Sequence, residues 1–222
     1  MIKIPSKKFV CYQKVTYFCN RKVTLIFFIM IKDRDNTERR ILDAVGRIVE
    51  REGFEAVRIN AVATESGMSK ILIYRYFGSI DGLLAKYLED KDFWLNFDTS
   101  QLPQSDVKAF SKQIFRAYIN MLRSSPALRK LYRWELSSKH PSINELRKRR
   151  EETALKIIAS VCELSGESFD RVAGISTLVT ASVSYLCILG ENCGVYNSLQ
   201  IDSDSGWEKL LETIDFMFDK IL

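Results

Sequence analysis

Residues 53–77, GFEAVRINAVATESGMSKILIYRYF, have a spacing that indicates two short helices joined by a tight turn. Gly67 can adopt the positive φ that such a turn requires. Ser69 is a good N-cap for the second helix, because its hydroxyl can accept an orphan backbone N–H. Ala63 is small where the two helices cross. The apolar contacts between the helices are assigned to Val62, Met68, Ile73 and Phe77. This arrangement is a helix-turn-helix, which commonly places its second helix in the major groove of DNA.

Helical periodicity continues on both sides of this stretch, and no strand-like alternation of useful length appears. Thr37 is a natural N-cap and Gly53 a natural stop for the helix that precedes the motif. Helices are predicted over 37–52, 59–66, 70–76, 80–97, 105–123, 127–138, 142–164, 168–191 and 205–221. The predicted fold class is therefore all-α with about nine helices: an N-terminal three-helix helix-turn-helix domain and a C-terminal helical domain.

The charge of the chain is unevenly distributed. The 222 residues carry a formal net charge of +5, but residues 1–33 hold seven Lys or Arg and one acid. Residues 34–222 hold 26 basic and 27 acidic residues, so the overall charge is weak evidence for DNA binding. Any useful positive field must be local. Within 58–77, Arg58, Lys70 and Arg75 stand against Glu65.

The first 33 residues are treated as an extension, basic and aromatic and unlike the rest of the chain. Their apolar run, 23–31, is far shorter than the roughly 20 residues that span a bilayer. No small-residue cleavage site follows it. We expect translation to begin at Met30, with residues 1–29 an over-extended gene start. The alternatives are a genuine extension and, as a separate hypothesis, a membrane-attached sensor anchored by 1–31.

Metal, cofactor and catalytic chemistry find little support in the residue pattern. The chain has five cysteines without metal-ligand spacing and one histidine, His140. We therefore expect no metal, no cofactor and no enzyme activity. Cys187 and Cys193 leave open a redox-responsive regulator, although incidental thiols are the more common outcome.

Several short motifs together resemble the tetracycline-repressor (TetR) family of bacterial regulators. They are Thr37 with Ile41-Leu42-Asp43-Ala44, Gly53-Phe54, Val62-Ala63, Gly67-Met68-Ser69, Tyr74-x-Tyr76-Phe77 and Leu83-Leu84. The match covers roughly 36–88, and the joint spacing is specific. The resemblance implies a homodimer with an N-terminal DNA-binding domain, taken as 34–94, and a C-terminal ligand-binding and dimerisation domain, taken as 95–222.

The resemblance also implies which residues contact DNA. Base-edge contacts fall at Asn60, Lys70, Ile71, Tyr74 and Arg75, and phosphate contacts near Thr37, Arg58 and Tyr76. Ser69, the N-cap of the second helix, is also counted among the DNA-binding residues. The chemistry suits these roles, since Lys and Arg donate to guanine, Asn pairs with adenine and Ile offers an apolar surface to a thymine methyl. Ile71 departs from the small residue that the family usually has, Arg58 replaces a Ser/Thr cap, and Ile80 replaces a lysine that contacts phosphate.

The C-terminal part carries weaker signals. Aromatic residues that could line an apolar effector pocket are Trp94, Phe97, Phe110, Tyr118, Tyr132, Trp134 and Tyr185, although each taken singly is more often plain core. The last two helices are apolar on a broad face. Two such helices from each of two chains would form a four-helix bundle, the alternative being burial within a monomer.

These observations predict a cytoplasmic DNA-binding regulator, a repressor in the first instance. It would bind double-stranded operator DNA as a homodimer through its last two helices. A small, apolar effector would release it from a palindromic site, and no membrane would be involved.

Overall fold

The computed structural model describes residues 34–222, and the extension at 1–33, with the predicted start at Met30, lies outside the described residues. Nine α-helices are found in the described part of the chain. They are α1 (34–52), α2 (Ile59–Ser66), α3 (Lys70–Phe77), α4 (Ile80–Lys91), α5 (Val107–Ser124), α6 (Pro126–Ser137), α7 (Pro141–Ser165), α8 (Phe169–Leu189) and α9 (Asp204–Ile221). Short 3-10 turns occupy Phe54–Ala56 and Thr99–Gln101. The predicted all-α class is confirmed.

Three local predictions are wrong. Residues 34–36 are already helical, so Thr37 lies inside α1 and does not begin it. The helix predicted over 80–97 ends at Lys91, because Asp92 has extended backbone and its carboxylate accepts the Leu95 N–H at 3.0 Å, which begins a separate turn. A small antiparallel hairpin, β1 (Val195–Tyr196) and β2 (Leu199–Gln200), stands where no strand is predicted, and its turn places Asn197 and Ser198 at positive φ.

Buried apolar residues form one continuous core from α1 to α9. Its largest fully buried side chains include Trp207, Tyr87 and Tyr118. The core passes across position 94/95 without interruption, so the division of the chain into 34–94 and 95–222 stays a prediction. A smaller cluster joins the start of α5 to α7 and α8.

Helix α8 is long and apolar enough to cross a membrane by length and composition, with a mean hydropathy of 1.9, and among the described residues it alone passes that test. One side of α8 packs against α5, α6 and α7, where Ile175, Val179 and Val183 are buried. The opposite side is open to solvent and carries Leu178 and Tyr185. Helix α8 thus has one apolar side that is buried in the core and a second apolar side that is exposed.

Candidate nucleic-acid interface and ligand cavity

The turn between α2 and α3 is built from a few polar contacts. Gly67 adopts φ 70° and its N–H bonds the Ala63 carbonyl at 3.1 Å, as the sequence predicts for a helix end. Ser69 caps α3 by accepting the Leu72 N–H at 3.2 Å. Ser66, which the sequence analysis passes over, is buried; its hydroxyl donates to the Val62 carbonyl at 2.6 Å and accepts from the Met68 N–H. The turn is therefore held from both sides.

Helix α3 has one buried side and one open side. Ile73 is fully buried, whereas Lys70, Ile71, Tyr74 and Arg75 are exposed together. Ile71 keeps 76% of its surface exposed and Tyr74 keeps 47%, high values for apolar and aromatic residues on a helix of eight residues. The open side thus combines two cations, a β-branched apolar side chain and a phenol, as the sequence predicts.

The remaining predicted contact residues lie on the neighbouring elements. Arg58 and Asn60 are exposed at the start of α2, where Arg58 occupies the cap position without a capping side-chain hydrogen bond. Tyr76 is half-buried near the end of α3 and Thr37 is half-buried on α1. Within residues 34–222, the side chains of Arg58, Lys70 and Arg75 form no ion pair, so their charges face solvent.

Glu65, the acid within the motif, is neutralised by α1. Arg47 Nε lies 2.6 Å and Arg51 Nη2 3.2 Å from its two carboxylate oxygens. Hydrogen bonds from Arg47, and then from Arg51, hold the pKa of Glu65 below its ordinary value. The local field of the motif is therefore more positive than the counting of charges in 58–77 suggests.

Arg34 is a residue that the sequence analysis misses. Its guanidinium lies over the Tyr76 ring, 5.8 Å from the centroid, which brings an additional cation beside the predicted backbone-contacting tyrosine. The sequence does not indicate this contact with Tyr76, because Arg34 adjoins the basic extension rather than the motif.

A cavity of about 490 Å³ opens between α5, α6, α7 and α8, within the range of roughly 300–1,000 Å³ that small-molecule sites occupy. Of the seven aromatic residues predicted for an effector pocket, Trp94 and Tyr132 line it. Its apolar wall includes Ile114, Phe115, Ile158 and Phe169, and its polar end is formed by Tyr132, Glu135, Arg147 and Arg150. A neighbouring cavity of about 390 Å³ is lined by two more predicted residues, Phe97 and Phe110, and shares Ile114 with the first.

Three predicted pocket residues line neither cavity. Tyr118 is fully buried behind the wall, where its hydroxyl donates to Tyr132 at 3.0 Å and lies 2.7 Å from Ser184. Trp134 packs against the turn after α1. Tyr185 is on the outer side of α8, 6.0 Å from the Tyr196 ring. Sequence periodicity does not distinguish these locations, because all three suit an aromatic residue.

The cluster RKRREE at 147–152 is more than a solvated helix face. Arg147 bonds Glu135 on α6, with Nε 3.1 Å from the carboxylate. Arg149 Nη2 lies 2.9 Å from Glu89 on α4. Arg150 is nearly buried and connects α7 to Asp92 and Glu135. The three arginines therefore bind α7 to both α4 and α6.

Arg150 lies at the polar end of the larger cavity. Its Nε is 2.7 Å from Asp92 Oδ2, its Nη1 is 2.5 Å from Glu135 Oε2, and its guanidinium lies over the Tyr132 ring at 4.6 Å. Burial lowers the pKa of Arg150, but Tyr132 and the carboxylates of Asp92 and Glu135 outweigh that effect, and the pKa lies above its ordinary value. Burial also raises the pKa of Tyr118 to about 12 and raises the pKa of Tyr132 above its ordinary value, so both hydroxyls stay protonated at neutral pH.

The N-terminal part of the chain matches the model of a known protein family. Residues 41–87 match the model of the bacterial regulatory proteins of the tetR family. No curated protein matches the chain in sequence.

Solved structures match over most of the chain. GusR of Salmonella enterica aligns with a TM-score of 0.59 and 19% identity, covering 84% of this chain and 95% of its own. A TetR family transcription regulator of Marinobacter aquaeolei VT8 aligns with a TM-score of 0.59 and 17% identity, covering 84% and 97%. A TetR transcriptional regulator of Agrobacterium tumefaciens aligns with a TM-score of 0.55 and 16% identity, covering 82% and 92%. At these identities the likeness concerns the fold.

Proposed function

We propose that this chain, which belongs to the TetR family of bacterial regulatory proteins, is a cytoplasmic homodimeric repressor that binds a palindromic operator and is released by a small-molecule effector. The observation that carries the proposal is the open side of α3. Lys70, Ile71, Tyr74 and Arg75 project from a helix whose opposite side is anchored by the buried Ile73. Cations and an apolar side chain on one exposed helix face suit base edges in the major groove.

Backbone contacts would come from the neighbouring elements. Arg58 stands exposed at the start of α2, and Arg34 lies beside Tyr76 on α3. Thr37 and Ser69 complete the proposed set on α1 and at the N-cap of α3. Such contacts fix the register of the protein on DNA, whereas the α3 side chains read the sequence.

Dimerisation is supported by the outer side of α8 and α9. On α8, Leu178 keeps 67% of its surface exposed and Tyr185 is exposed as well, and on α9 Phe216 keeps 60%. Val195 and Tyr196 of the hairpin are also exposed, and the Tyr196 ring lies 6.0 Å from that of Tyr185. We refer to these five residues as the apolar patch. Pairing of two patches would form a four-helix bundle around a two-fold axis. It would also present two α3 helices to successive major grooves, about 34–36 Å apart.

The larger cavity is the proposed effector site. The cavity lies among α5–α8. Helix α4 follows α3 closely in the chain, and Asp92, the residue after the last turn of α4, lies at the polar end of the cavity. An effector that favours a different placement of α4 would weaken operator binding. By linkage, operator DNA would weaken effector binding by the same coupling free energy, typically about 1–3 kcal/mol.

The cysteine redox alternative gains little from the described cysteines. Burial raises the pKa of Cys187 to about 12 and raises the pKa of Cys162 as well, which disfavours the reactive thiolate. Cys193 donates to the Val195 carbonyl at 3.1 Å. We therefore assign the regulation to a ligand rather than to thiol chemistry.

The test is selection of bound fragments from sheared genomic DNA by the purified protein, followed by fluorescence anisotropy on the enriched fragment. The expected result is one inverted repeat, bound by a dimer with strong salt dependence. Binding without sequence preference, or binding by a monomer, would contradict the proposal. A reporter under the selected promoter then decides between repression and activation.

A further inference from the structure

The polar end of the larger cavity contains hydrogen-bond donors that the protein leaves unused. Arg150 Nη2 is buried and lies 2.5 Å from Asp92 Oδ2, but it has no other acceptor among the described residues, so at least one of its two N–H groups is unused. Tyr132 accepts from Tyr118 and lines the cavity. Its own proton is not used by a described hydrogen bond, so it is available to a ligand.

The charges at this end already balance. Asp92, Glu135, Arg147 and Arg150 form one connected cluster of two carboxylates and two guanidinium groups. Glu151 also lines the cavity, but it is exposed to solvent. A further buried charge of either sign would therefore have no buried counter-charge, which is costly in a poorly solvated site. A neutral oxygen acceptor adds no charge and satisfies the unused donors.

The rest of the cavity accepts an apolar body. Trp94, Phe115, Ile158 and Phe169 face the same space as Arg150. Apolar walls with a few convergent polar groups are the usual composition of a small-molecule site, in which the polar groups fix orientation.

We propose that the effector is a neutral amphipathic molecule whose carbonyl-type oxygen accepts hydrogen bonds from Arg150 and Tyr132 while its apolar body fills the cavity. This inference rests on the proposed function, since it names the ligand class and the regulatory contact of that site. Arg150 also holds Asp92, the fully buried residue that ends α4. A ligand that draws the guanidinium into the cavity acts on α4, and α4 follows α3 after two residues.

Ligand class is tested by calorimetric titration with three probes that share one chain length: methyl decanoate, decanoate and decylamine, each below its aggregation concentration. We expect the ester to bind at least about tenfold more tightly than either ion, because each ion adds an uncompensated charge. Equal or tighter binding of an ion, or no binding of the ester, would overturn the assignment.

Variants test the contacts. Arg150→Gln should weaken ester binding by about tenfold or more, since a hydrogen bond from a charged donor is lost. Arg149→Gln is the matched control, because Arg149 joins the same two helices through Glu89 but does not line the cavity. Tyr132→Phe removes one hydroxyl without exposing a buried carboxylate, so it keeps the test valid if Arg150→Gln does not fold. Unchanged ester affinity in Tyr132→Phe would overturn the proposed contact.

Regulation is tested separately by operator anisotropy with and without the ester. We expect the ester to weaken operator binding of the wild type. Asp92→Asn should bind the ester yet lose most of that effect. If Asp92→Asn responds like the wild type, the Arg150–Asp92 link is not the route. If the ester binds as expected but leaves operator affinity unchanged, the ligand class holds and the proposed release by an effector fails.

Discussion

The indole of Trp134 on α6 lies flat on the ring of Phe54, with centroids 4.6 Å apart and planes 8° from parallel. Its Nε1 also donates to Glu55 at 2.9 Å. One turn earlier on α6, Lys130 donates to the Val49 carbonyl at 3.1 Å, at the end of α1. Helix α6 therefore joins the body that contains the cavity to the motif-bearing helices.

This stacked pair predicts a large loss of stability on truncation. Trp134→Ala should lower the free energy of unfolding by about 3–5 kcal/mol, as loss of a large buried aromatic usually does. Leu136→Ala is the control on the same helix, because Leu136 keeps 81% of its surface exposed, and it should change stability by no more than about 0.5 kcal/mol. Guanidinium denaturation measures both, and similar effects of the two variants would contradict the role of the contact.

The open side of α3 predicts separation of DNA binding from assembly. Lys70→Ala and Tyr74→Ala should each abolish retention of the operator in a gel shift, while the dimer in sedimentation analysis stays intact. Lys148→Ala, on the exposed face of α7, is the control and should bind as the wild type does. Wild-type retention by both α3 variants would show that the site is wrongly assigned.

Ile71 predicts a dependence on thymine methyl groups. Replacing the operator thymines with uracil removes those methyl groups while base pairing stays the same. For a contacted methyl, wild-type affinity should fall about fourfold, or about 0.8 kcal/mol. Ile71→Ala should bind both DNAs with nearly equal affinity. An equal loss in wild type and variant would place the methyl contact elsewhere.

The apolar patch predicts that charge at its centre prevents dimerisation. Leu178→Glu and Phe216→Glu should give monomers by light scattering, because a carboxylate would be buried without a partner at the two-fold axis. Leu136→Glu introduces the same charge at an equally exposed leucine on α6 and should stay dimeric. Dimers in both patch variants would exclude this surface as the interface.

Because the phenol of Tyr87 is buried, we expect the protein to lose stability at alkaline pH. Burial, with Glu50 nearby, raises the pKa of Tyr87 to about 12, above its ordinary value of 10.0. Below pH 10 both folded and unfolded states are protonated. Between pH 10 and 12 the unfolded state ionises first, so up to about 2–3 kcal/mol of stability is lost.

The variant that checks this is Tyr87→Phe, since the Tyr87 hydroxyl is buried without a hydrogen-bond partner in residues 34–222. The free energy of unfolding of Tyr87→Phe at pH 7 should lie between that of the wild type and a value about 1 kcal/mol higher. It should also fall less steeply above pH 10. Tyr185→Phe, at an exposed position, should follow the wild-type pH profile. A wild-type slope in Tyr87→Phe would remove Tyr87 as the cause.

Local rules accounted for the motif. The turn requires a residue at positive φ, and Gly67 meets that requirement. The first turn of α3 requires an acceptor for its free backbone N–H groups, and the Ser69 hydroxyl provides one. Both effects act over three or four residues. The alternation of buried Ile73 with exposed Lys70, Ile71 and Tyr74 follows from the 3.6-residue period alone. These features could be predicted because each cause lies close to its effect along the chain.

Contacts between distant residues could not be predicted in this way. Asp92 ends α4 while its carboxylate holds Arg150, 58 residues away, and a charge run on α7 thereby became part of a cavity wall. Tyr118, Trp134 and Tyr185 are alike in sequence but occupy the core, a helix junction and an outer surface. Residue type and period state that a side chain needs burial or a partner, but only packing of whole helices decides which partner it meets.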